Sequence, residues 1–139
     1  TDPEAGRSAL ASWATAPERA GRAVLAPAVR HTLEMFAEDH PGGAVELRVP
    51  PYAAVQALAG IRHTRGTPPA VVETDAATWL ALAAGDLDWA TAAADGRVRA
   101  SGERSDLTEM LPLLGPRRTV RAARAGAAAE ETDREQEEP

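Results

Sequence analysis

The hydrophobic period of this sequence switches across His40-Pro41-Gly42-Gly43, and that switch constrains the fold more than any other feature. Upstream, Leu25, Val29, Leu33 and Phe36 fall at i, i+4, i+8 and i+11, one stripe of an amphipathic helix. Downstream, Val45, Leu47 and Val49 alternate with Glu46 and Arg48, the period of a strand with one buried face. A purely helical or purely stranded fold cannot satisfy both patterns, so the chain must lay helix against sheet. Pro27 lies within the helical stripe and either restarts that helix or kinks it.

The remaining punctuation extends this frame. Asp2 before Pro3 reads as a helix start, with Leu10 and Trp13 on its buried face, and Thr15-x-x-Glu18 has the spacing of a second start. After Pro50-Pro51, Tyr52 to Ala59 reads as a strand and Val71 to Thr74 as another, separated by a polar loop over Arg62 to Pro69. Asp75 caps a helix that carries Trp79, Leu80 and Leu82 and stops at Gly85. Asp86 or Asp88 starts a shorter helix with Leu87, Trp89 and Ala93, and Val98 with Ala100 marks a last short strand ending at Gly102. Ser105 then caps a final helix in which Leu107, Met110, Leu111 and Leu114 share one face, with Pro112 bending or shortening it. From Arg117 onward Val120 is the one large apolar residue, so residues 117–139 read as a disordered charged tail behind a domain spanning residues 1–116.

With 139 residues there is room for one core, and 32 of the 61 residues counted as hydrophobic are Ala, so large apolar side chains must be placed sparingly. The absence of Cys excludes disulfides, thiolate metal sites and cysteine nucleophiles. A net charge of −6 argues against general nucleic-acid binding, which needs a positive field to release phosphate counterions. No apolar run is long enough for a membrane span and Thr1 to Trp13 lacks the pattern of a signal peptide, so the reading expects a cytoplasmic chain without stable membrane insertion.

Catalytic motifs are missing. Ser8, Ser12, Ser101 and Ser105 lie in no nucleophile elbow, and the dinucleotide and phosphate-loop fingerprints are absent. His31 with Glu34 or Glu38 shares a helix face but matches no zinc spacing, so no metal or cofactor is expected. Asp86 and Asp88 are better explained as helix-start carboxylates than as an acid–base pair. The densest polar group is Arg62-His63-Thr64-Arg65, where two fixed cations and an imidazole could hold a carboxylate, phosphate or sulfate; as a solvated loop, the same residues would pair with acids such as Glu46 or Glu73.

The run from Val71 through Asp75 and Trp79 to Gly85, then Asp86-Leu87-Asp88-Trp89 and Asp95 to Gly102, resembles the sterol carrier protein type 2 domain, most closely over residues 70–114. The loop Arg62-His63-Thr64-Arg65-Gly66-Thr67-Pro68-Pro69 is similar to that of small bacterial, actinobacterial-type sterol carrier family proteins. The C-terminal pattern also resembles the accessory domain fused to mycothiol-dependent isomerases of the maleylpyruvate type. The resemblance implies an α+β fold, a curved mixed sheet of four to five strands covered by helices, that carries a lipid-like apolar ligand without catalysis in a tunnel between sheet and helices. Trp79, Leu82, Leu107, Met110, Leu111 and Leu114 would form the apolar wall, and Arg62, His63 and Arg65 would hold an acidic head group at the mouth. Alanines along the wall either leave a cavity open or mark a close-packed interface. Two other functions stay open on this reading: an accessory domain of a thiol-dependent enzyme system, and a protein interaction module whose partner is unknown. The core is expected to join Val45, Leu47, Val49, Val71 and Val98 to Leu33, Phe36, Trp79, Leu82, Leu107 and Leu111.

Overall fold

A computed structural model describes residues 1–60, 69–102 and 105–137. Among these residues, five helices, α1 (Pro3–Thr15), α2 (Arg22–Asp39), α3 (Ala76–Ala84), α4 (Trp89–Ala94) and α5 (Leu114–Glu137), accompany four strands, β1 (Val45–Val49), β2 (Ala53–Ala57), β3 (Ala70–Thr74) and β4 (Val98–Ser101). The strands form one open mixed sheet in the order β2-β1-β3-β4. β1 runs antiparallel to β2 and parallel to β3, and β4 returns antiparallel to β3 after α3 and α4. The fold is α+β, as the two hydrophobic periods require.

Register decides which side chains enter the core. Val45 lies opposite Ala57 and Ala70, and Leu47 opposite Val55 and Val72, so these residues share one face of the sheet. Val45, Leu47, Val49, Ala57, Ala70 and Val72 are buried on that face, while Glu46, Arg48, Glu73 and Arg99 stand on the other. Val72, not Val71, is therefore the core residue of β3. Two adjacent valines carry no alternation of their own, and pairing with Leu47 selects between them.

The local starts and stops follow side-chain chemistry. The Asp2, Asp75 and Asp88 carboxylates accept from the amides of Ala5, Thr78 and Thr91, capping α1, α3 and α4. Each such cap contributes about 1 kcal/mol. Gly85 ends α3 at φ 86°, a conformation that a side chain would oppose. Gly42 (φ 145°) ends the α2–β1 connection where any Cβ would collide with the Leu58 carbonyl. α2 passes through Pro27 without interruption and buries Val29, Leu33 and Phe36.

Four further expectations are corrected. Thr15 ends α1 instead of opening a second helix, because Pro17 follows and directs a 3-10 turn over Pro17–Arg19; the Thr15 hydroxyl donates to Ser12 O. Asp86 caps nothing and instead receives Arg124. Ser105 opens no helix: its hydroxyl donates to Gly102 O, and Leu107 to Leu114 form a 3-10 turn at Thr108–Met110 followed by an extended step. Pro112 cannot donate to a continuing helix, so Leu107 and Leu113 are buried, Met110 and Leu111 are half-buried, and Leu114 points outward. Lastly, residues 117–137, expected to be disordered, are helical in α5. Pro116 and Val120 seat its first turns against α1 and α3, which supplies the burial that composition alone did not reveal. Beyond Arg124 every residue of α5 with described burial is exposed.

Candidate functional site

The interior between sheet and helices is built around Trp79. Its indole N–H donates to the Thr32 hydroxyl at 2.8 Å, and Thr32 in turn sits within hydrogen-bonding distance of the Ala28 carbonyl, also 2.8 Å away. Phe36 meets the Trp79 ring edge-on, with centroids 5.8 Å apart and planes at 87°. This is a preferred aromatic geometry, and the polar end of each buried group is satisfied. Leu33, Leu47, Leu80, Leu82 and Leu107 complete a center with at most 1% exposure.

The expected apolar wall is divided by this arrangement. Trp79, Leu82 and Leu107 are brought together in the core, Met110 and Leu111 sit at its rim, and Leu114 is 64% exposed. The three loop residues expected to hold a head group, Arg62, His63 and Arg65, lie outside the described residues. Thr32 escaped the sequence reading, although it falls on the same helix face as Val29 and Phe36, where a hydroxyl among apolar neighbors signals a buried polar partner.

Among the described residues, two surface clefts have mainly polar linings. One, of about 310 Å³, lies where β1 and β3 end and is lined by Pro50, Glu73, Thr74, Asp75, Gly96, Arg97 and Arg99. The other, of about 400 Å³, is lined by Asp106, Thr108, Glu109 and Met110. Asp75 is engaged by the Thr78 amide and hydroxyl, and Arg97 lies 3.6 Å from Asp95, so the first cleft has few uncommitted groups. No group of three potential metal ligands converges among the described residues.

A polar junction joins α5 to α1 and to the turn after α3. Arg124 of α5 donates to both Asp86 oxygens at 2.8 Å and from Nε to the Ala14 carbonyl at 3.0 Å, with its guanidinium 5.9 Å from the Trp13 ring centroid. The Arg124 hydrogen bonds hold the Asp86 carboxyl below its ordinary range, and the Thr91 amide does the same for Asp88. His31 is buried under α1, where Gly6 leaves room for its ring; burial, reinforced by Arg7, lowers its pKa against the opposing pull of Glu34 and Glu38. Nothing local in the sequence marks Arg124, whose partners lie 38 and 110 residues away.

Comparison with known proteins gives one family. A family model described as a bacterial SCP ortholog matches residues 21–113, from the residue before α2 to the residue before α5. No curated protein matches the chain. The matched region contains the whole sheet, α2 to α4 and the Trp79 center, and on that ground the chain belongs to the bacterial sterol carrier protein family.

Proposed function

We propose that this protein is a noncatalytic carrier of a lipid-like apolar ligand, and family membership over residues 21–113 is the observation that carries the reading. The site we assign begins at Trp79, Leu82 and Leu107 and opens through the half-buried Met110 and Leu111. Uptake on this reading displaces side chains of this buried cluster, and Met110 is suited to that role because an unbranched thioether adapts to varied shapes. Arg62, His63 and Arg65 would receive an acidic head group through charge-assisted hydrogen bonds. Native mass spectrometry of freshly purified protein tests the reading. A copurified apolar molecule at one per chain supports it. Uniformly empty protein that also fails to take up added fatty acids or sterols overturns it.

A further inference from the structure

Leu114 is the large apolar side chain left in solvent among the described residues, and it heads a patterned stretch of α5. Arg117, Arg118 and Arg121 stand at i+3, i+4 and i+7 from Leu114, so all four lie along one face of the helix. Arg118 and Arg121 are exposed and Arg117 is half-buried, while Pro116 and Val120 occupy the opposite, docked face. None of the three arginines has an ion-pair partner among the described residues, whereas Arg124, one turn on, is fully engaged by Asp86 and Ala14. Immediately before Leu114, Pro112 is exposed and Met110 and Leu111 are half-buried, which widens the apolar tip.

The surrounding charges make this cluster unusual. The chain has a net charge of −6, so unpaired cations gathered around an exposed leucine are not what solubility alone requires. The acidic end of α5 begins at Glu130; at 1.5 Å per residue it lies about 13 Å beyond Arg121, farther than the screening length of about 8 Å in physiological salt. Glu109, exposed in the preceding 3-10 turn, is the nearest acid before Leu114 along the described chain. An apolar tip followed by a cationic stripe fits a surface that offers hydrocarbon beneath phosphate. Nucleic acid would use the arginines and leave Leu114 without a role.

We propose that the start of α5 docks peripherally on an anionic lipid surface, with Leu114 entering the acyl boundary and Arg117, Arg118 and Arg121 meeting lipid phosphates. Guanidinium groups suit that contact because their fork matches phosphate oxygens. One leucine and three cations give reversible attachment. The proposal goes beyond the carrier reading and is tested apart from it.

Flotation of the full chain with vesicles of phosphatidylcholine alone, or of phosphatidylcholine with phosphatidylglycerol, is the direct test. Binding is expected only with phosphatidylglycerol and should weaken as salt is raised. Arg118→Glu combined with Arg121→Glu should lower the partition coefficient about tenfold or more. Leu114→Ser should lower it several-fold while leaving the salt dependence in place. These positions are exposed, so unchanged melting temperatures separate lost docking from lost folding. Absence of binding, equal binding to both vesicle types, or a double variant that binds like the parent overturns the proposal. So does Leu114→Ser with undiminished binding, which would reduce the contact to charge attraction. Vesicle binding without uptake of an apolar ligand would leave docking intact and remove the carrier reading, and the reverse result would do the opposite.

Discussion

The family-matched region and the two helices that flank it are held by different means. Residues 21–113 close around Trp79, Phe36, Leu33 and Leu47, all buried, with the indole N–H and the Thr32 hydroxyl both satisfied. α1 and α5 lie outside the match and pack on each other and on α2 and α3. α1 brings Leu10 and Trp13, whereas α5 brings chiefly Pro116, Val120, the half-buried Ala123 and the polar grip of Arg124. The difference shows that a helix of 24 residues can be fixed by its first three turns, leaving the remainder with no packing role. It also implies graded sensitivity to substitution.

The largest effect is expected inside the matched region. Trp79→Ala should destabilize by about 3–5 kcal/mol in chemical denaturation, because it removes a large buried ring and leaves Thr32 beside a cavity. Trp79→Phe, which keeps most of the volume but not the N–H, should cost about 1–2 kcal/mol. A loss below about 1 kcal/mol for the alanine variant would mean that the center is not closed as described.

Truncation separates the two halves of α5. Ending the chain after Gly115 removes Val120 and Arg124 and should cost about 2 kcal/mol, measured by thermal or urea unfolding. Ending it after Gly126 removes, among the residues with described burial, only exposed ones, and should change stability by less than about 0.5 kcal/mol. Equal stability of the two truncations would return the whole segment to the status of a solvated tail.

A smaller effect belongs to Arg124 alone. Arg124→Ala should cost about 1 kcal/mol, because the Asp86 pair is partly exposed and screened by solvent. The carboxyl pKa is lowered by folding, so its contribution is present above the ordinary Asp value near 3.8 and is lost as pH falls through the lower folded value. Asp86→Asn should therefore narrow the stability gap between the variant and the parent in strong acid. The smallest expected effect concerns His31. Its pKa is also lowered by folding, so the unfolded chain takes up the proton first and stability should decline as pH falls below about 6.5. His31→Gln should flatten that decline between about pH 7 and 5, as read from denaturation midpoints.

What the sequence reveals is uneven for a physical reason. Caps at Asp2, Asp75 and Asp88, the stop at Gly85 and the parity of β1 depend on neighbors within four residues, and each is legible. Val72 over Val71, the docking of Val120 and the junction of Arg124 with Ala14 depend on partners far along the chain. The segment from Ser105 to Leu114 is misread for a different reason: its apolar spacing is helical, but Pro112 prevents the helix that the spacing describes. The burial of Trp79, Leu82 and Leu107 is legible, whereas the outward turn of Leu114 follows from that broken helix.

The central functional claim is that the Trp79 center yields to an apolar ligand. Titrating the full chain with a long-chain fatty acid while following tryptophan fluorescence tests it most directly. A saturable change at one ligand per chain is expected, and Trp79→Phe should largely remove it while Trp13 and Trp89 continue to emit. Fluorescence that never saturates, or a saturable change that persists in Trp79→Phe, would contradict it.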